Sequence, residues 1–178
     1  IQYPAVELLT ASAFILCLLS KGPGMGSAIM CMFSGILITA AFIDARHMYI
    51  PDGIHVLILL LSCISLAAGS APSLMNRLGG SLLTGGFLAL VNLLSRGGVG
   101  WGDVKLFAAS GLLIGAAPAM TALLMGYVTA GLWYAVPLLR GRVGRKTQIP
   151  MAPFFAVSLM ICGLWFRQLL LWYLGFFR

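Results

Sequence analysis

Apolar runs with hardly a charge inside them make up most of this chain, and that pattern leaves a bundle of membrane-spanning helices as the fold to expect. A span needs about 20 predominantly apolar residues, fewer where a helix is short. Seven runs approach that length, at roughly 6–20, 25–43, 53–69, 78–95, 104–117, 119–139 and 152–176. The fifth and sixth are split at Pro118, after Gly115-Ala116-Ala117, because proline lacks the amide that continues a helix and clashes with the turn before it. Composition agrees: 61% of the 178 residues are hydrophobic and 8% charged, against about a quarter charged in a globular domain. Glycines recur inside the runs, at Gly79-Gly80, Gly85-Gly86, Gly111, Gly126 and Gly131, where they let helix backbones approach in a solvent that offers no hydrophobic drive. No internal repeat, low-complexity tract or long linker divides the sequence, so residues 1–178 read as one membrane-embedded domain. The expected class is all-α, a polytopic transmembrane bundle of about seven membrane helices.

The net charge of +7 does not point to nucleic acid, because the basic residues sit in short loops between apolar runs rather than on one polar face. They set topology instead. With the N-terminus in the cytoplasm, the inner loops hold Arg46, Arg96, Lys105, Arg140, Arg142, Arg145 and Lys146, and the outer ones hold Lys21, Arg77 and Arg178. That excess favours this orientation; Arg167, near Trp165, Phe166 and Trp172, is left out because it can snorkel. Cys17, Cys31, Cys63 and Cys162 are far apart inside apolar runs, which is no zinc spacing and reads as small apolar packing. The sequence begins at Ile1 without a basic signal-peptide head, and a missing N-terminal part is expected.

Four acids serve the whole chain: Glu7, Asp44, Asp52 and Asp103. Asp44 closes the run Ala40-Ala41-Phe42-Ile43, and Asp103 stands in Gly100-Trp101-Gly102-Asp103 ahead of the next run, which puts both at cytoplasmic helix ends. An ionisable group at the hydrocarbon edge is costly, so its default reading is functional. Asp103 also suits an N-cap; Asp44 is at the wrong end of its helix for the dipole. Two carboxylates brought together from different helices share a proton, which is the arrangement of aspartic proteases: one activates water while the other polarises the scissile carbonyl. The neighbouring Gly100 and Gly102 would let an extended substrate backbone pass. Asp52, in Ile50-Pro51-Asp52-Gly53, reads as a helix cap after a proline-set turn. Glu7 reads as an acid in a first helical turn.

With those residues in view, the chain resembles the type IV prepilin peptidases, bacterial membrane aspartic proteases of the GxGD kind. Four stretches carry the match: Tyr3 to Thr10, Asp44-Ala45-Arg46 running to Ile50-Pro51-Asp52, Gly100 to Leu106, and Ile149 to Phe154. The resemblance implies that Asp44 and Asp103 are the catalytic pair, with Gly100, Gly102, Lys105, Pro150 and Pro153 around them. It implies no metal and no cofactor for proteolysis. It implies prepilin or pseudopilin substrates of type IV pilus or type II secretion systems, cut after a glycine at the cytoplasmic face of the bacterial inner membrane. Members similar to this chain carry a further first helix and a cytoplasmic loop, often with paired CxxC zinc motifs, ahead of the Tyr-Pro stretch. That part is associated with S-adenosylmethionine-dependent methylation of the new N-terminus.

Two other readings compete. Presenilin-like proteases share the chemistry but resemble Tyr-Asp and Pro-Ala-Leu where Ile43-Asp44 and Pro150-Met151 stand here. A proton-coupled transporter would use membrane aspartates too, but nearer the midplane. A purely structural subunit has no use for two costly carboxylates.

Overall fold

The computed structural model describes residues 2–69, 72–140 and 149–176. These form seven helices: α1 (Gln2–Lys21), α2 (Met25–His47), α3 (Asp52–Ala67), α4 (Leu74–Leu94), α5 (Trp101–Ile114), α6 (Ala116–Leu139) and α7 (Ala152–Gly175). No strand occurs among the described residues. α1, α2, α4, α6 and α7 are long and apolar enough to cross a membrane, so this is a multi-pass membrane protein. α3 and α5 have 16 and 14 residues, about 24 and 21 Å of rise, against a hydrocarbon thickness of about 30 Å. The helix number matches the expected bundle, but two of the seven fall short of a full span.

α2 packs on α1, α3 and α7, α5 on α3, α4 and α6, and α6 joins α4 to α7. Phe33 and Leu37 of α2, Ile58 of α3, Leu88 of α4, Phe107 of α5 and Phe155 of α7 are all within 1% of complete burial. Many large apolar side chains face outward, among them Leu19, Leu82, Leu132 and Trp172, as expected where the surrounding solvent is lipid. Backbone meets backbone where α4 crosses α5. A Cβ on Gly80 would lie 2.5 Å from the Gly111 carbonyl oxygen, and one on Gly111 would lie 2.5 Å from the Gly80 backbone. Beside this crossing the Thr84 hydroxyl donates to the carbonyls of Gly80 at 2.7 Å and Phe107 at 3.0 Å.

Several local expectations change. The α5–α6 break falls at Gly115, whose φ of 88° is a conformation glycine takes without a Cβ clash. Pro118 instead sits in the first turn of α6, where no amide partner is needed. Arg77 is not an outer-loop residue: it lies in the first turn of α4 with 1% exposure. Its guanidinium donates to the carbonyls of Pro72, Ser62 and Leu112 and to Ser65 Oγ, tying α3, α4 and α5 together. Glu7 stands beyond the first turn of α1. Arg142, Arg145, Lys146 and Arg178, used in the loop count, lie outside the described residues.

Candidate active site

The end of α2, the start of α5 and the start of α7 meet around a cavity of about 790 Å³. Asp44 and Asp103 both line it, together with Met48, Tyr49, Asp52, Trp101, Lys105 and Tyr127. Asp44 is not past the end of its helix. It lies one turn inside α2, its carbonyl accepts the Met48 amide at 2.8 Å, and Met48 turns the chain out in a left-handed conformation at φ 52°. Its side chain is buried, at 7% exposure, and its Oδ2 accepts the Ala152 amide at 2.9 Å. That amide is free because the first N–H groups of a helix have no partner within it, and α7 begins at Ala152. The N-terminus of α7 therefore meets the carboxylate with a donor and the positive end of a dipole.

Asp103 is not the cap of α5. Gly100 occupies that position and Asp103 lies in the first turn, its amide donating to the Gly100 carbonyl at 3.1 Å. It stands ahead of the apolar run of α5 and outside the five long spans. Burial pushes its carboxyl up to about 7, and the charge of Asp44 adds to the shift. The charge of Asp44 is thus felt at Asp103 across the cavity that both line.

Of the remaining expected residues, Gly100, Gly102 and Lys105 line the cavity. Pro150 does not, although its neighbours Ile149 and Met151 do. Pro153 is in the first turn of α7 and lines a separate apolar groove of about 470 Å³ between α1, α2 and α7. Asp52 is not a side-chain cap: Pro51 holds the cap position of α3, and the Asp52 carboxylate accepts Lys105 Nζ at 2.6 Å. That ammonium holds the Asp52 carboxyl below the ordinary carboxylate range. Lys105 is therefore paired with Asp52, two residues along α5 from Asp103.

Three residues near the site, His55, Asn92 and Tyr127, went unread in the sequence. His55 of α3, 5% exposed, places Nε2 3.0 Å from the Gly102 carbonyl. Its spacing of three from Asp52 was the available signal. Buried Asn92 of α4, with its amide turned to match its neighbours, donates to the Val99 carbonyl at 2.8 Å and accepts from Trp101 Nε1 at 3.3 Å. Tyr127 of α6 lines the cavity and stacks edge-on against Phe155, which does the same with Phe107.

The type IV leader peptidase family matches residues 31–135, which include both aspartates. The chain belongs to this family. Leader peptidase relatives extend the likeness over nearly the whole chain. A prepilin leader peptidase/N-methyltransferase of Bacillus subtilis is 29% identical over 97% of this chain and 70% of its own length. Proteins of the same description are 31% identical in Aeromonas hydrophila and 30% in Legionella pneumophila. The chain spans 61% of the first and 63% of the second, less than two thirds of either. No solved structure matches it.

Proposed function

We propose that the chain is the proteolytic part of a leader peptidase that removes the short basic leader of type IV prepilins or pseudopilins, cutting after a glycine at the cytoplasmic membrane face. The observation that carries this reading is the convergence of Asp44 and Asp103, from α2 and α5, on one polar cavity in a chain of the leader peptidase family. Residues 1–178 then act as one peptidase domain in the bacterial inner membrane. The substrate's apolar helix stays in lipid while its leader reaches the cavity mouth.

In the mechanism, the pair holds one proton. Asp44, steadied by the Ala152 amide, is the ionised member and takes a proton from water as the water oxygen bonds to the scissile carbonyl carbon. Asp103, the member raised to about 7, is protonated and donates to the carbonyl oxygen. Collapse of the tetrahedral species breaks the C–N bond as the proton held on Asp44 passes to the leaving amine, and the former carbonyl oxygen returns its proton to Asp103 as the C=O bond re-forms, so the pair again holds one proton. Gly100 leaves the cavity wall low beside Asp103, since a Cβ there would lie 3.4 Å from Asp103 Oδ2, whereas the Cβ position of Gly102 faces buried Ile50. Lys105 and Asp52 satisfy each other's charge and keep the ammonium off the pair. No metal enters this scheme.

Relatives described as N-methyltransferases raise the question of S-adenosylmethionine. Its ammonium, carboxylate and adenine need polar partners, but among the side chains lining the apolar groove the Ser12 hydroxyl and the Trp165 indole N–H alone can hydrogen-bond, and neither carries a charge. That groove does not fit the group, and no methyl-transfer step is assigned to it.

The test is cleavage of a peptide with basic leader, glycine and hydrophobic helix by the protein in lipid. Asp44→Asn and Asp103→Asn each lower kcat about a hundred- to ten-thousandfold while the protein stays folded. Variants that cut like wild type would remove the two-aspartate assignment.

A further inference from the structure

We propose that His55 is a positioning residue for Asp103, acting through the Gly102 carbonyl. This rests on the reading that Asp103 is a catalytic carboxyl. A carbonyl only accepts, so the 3.0 Å contact requires the proton on Nε2, which fixes the neutral ring as the Nε2–H tautomer. Nδ1 is then left buried without a hydrogen bond; the nearest carboxylate oxygen, Asp52 Oδ1, is 3.6 Å away, beyond hydrogen-bonding range. A buried ring with one nitrogen unsatisfied is a poor choice for stability alone. What the ring gains is a tether on one peptide plane.

That plane joins Gly102 to Asp103, so the direction of the Gly102 carbonyl sets the backbone torsions on which the Asp103 side chain hangs. Glycine is the residue least able to fix these torsions itself. The surroundings hold the same point from other sides. A Cβ on Gly102 would lie 3.3 Å from Ile50 Cβ, and Lys105, three residues on, is anchored to Asp52. The start of α3 thus grips the start of α5 on both sides of Asp103. His55 supplies the one hydrogen bond that this grip makes to the α5 backbone among the bonds described.

The experiment compares His55→Leu, His55→Gln and Asp103→Asn in peptide cleavage in lipid, with thermal melts and nitrogen-15 spectra of the histidines. His55→Leu is expected to lower kcat about ten- to a hundredfold with KM unchanged. His55→Gln, whose amide can donate at a similar reach, recovers most of that loss. The wild-type spectrum shows His55 protonated at Nε2 alone. A His55→Leu enzyme with wild-type kcat, or one changed only in KM, overturns the proposal. If His55→Leu does not fold, a folded His55→Gln as slow as Asp103→Asn overturns it instead. A wild-type ring protonated at Nδ1 with Nε2 bare overturns it without reference to cleavage. Cleavage by Asp103→Asn at the wild-type rate would remove the catalytic reading itself, and with it any acid for His55 to position.

Discussion

The Asp103 carboxyl is pushed up to about 7 by burial, and the sign of that shift has two consequences. The carboxyl lies well above the ordinary value of 3.8 because burial and the Asp44 charge both disfavour the ionised form. The role assigned to it needs the protonated form, so kcat is expected to fall as pH rises through about 7. The same shift links to stability in the direction opposite to a salt-bridged aspartate. Between 3.8 and about 7 the folded state holds a proton that the unfolded state has lost, so stability falls as pH rises across that window. Asp103→Asn removes the ionisation and flattens this decline. Melting temperatures of both proteins at pH 5 and pH 8 check it: an equal fall in wild type and Asp103→Asn would place the titration on another group.

At the scale of the helices, the position of Asp103 depends on how closely α5 lies against α4, and that spacing is set by Gly80 and Gly111. A methyl on either meets backbone of the other helix at 2.5 Å, and backbone cannot rotate away as a side chain can. Gly111→Ala is therefore expected to cost about 1–3 kcal/mol and to lower the melting temperature and cleavage together. Gly86→Ala, on α4 with nothing within 4 Å of its Cβ position, serves as the neutral control; equal effects from the two would show that the crossing is not the cause. Helix number and position were readable because apolar runs are long and lipid forbids unsatisfied backbone. The two aspartates stood out because acids are scarce. The pairings were not readable: nothing local says that Lys105 reaches Asp52 across 53 residues, or that Asn92 holds Val99 and Trp101. Arg77 misled because a charge near a run's edge looks like a loop residue, whereas four oxygens from neighbouring segments pay for its burial.

Across the whole molecule, the loops after α2 and α4 and the start of α7 gather at the cavity end, while the turn between α5 and α6 and the start of α4 lie at the other, where Gly115 packs near Pro72 and Asn76. With Arg77 buried, the charge asymmetry between the ends sharpens: Arg46, Arg96 and Arg140 flank the cavity end, against Lys21 at the far end of α1 and Arg167 toward the far end of α7. Positive charge stays in the cytoplasm, so the cavity is expected to open there, where a leader that never crosses the membrane can reach it. Ser95 is exposed at the cavity end and Ser73 at the opposite one. In intact cells with the outer membrane opened, a membrane-impermeant maleimide should label Ser73→Cys and spare Ser95→Cys until the inner membrane is permeabilised. The reverse pattern would set both aspartates on the outer face, out of reach of an untranslocated leader, and the leader-processing reading would fall even if the two carboxyls still act as a protease.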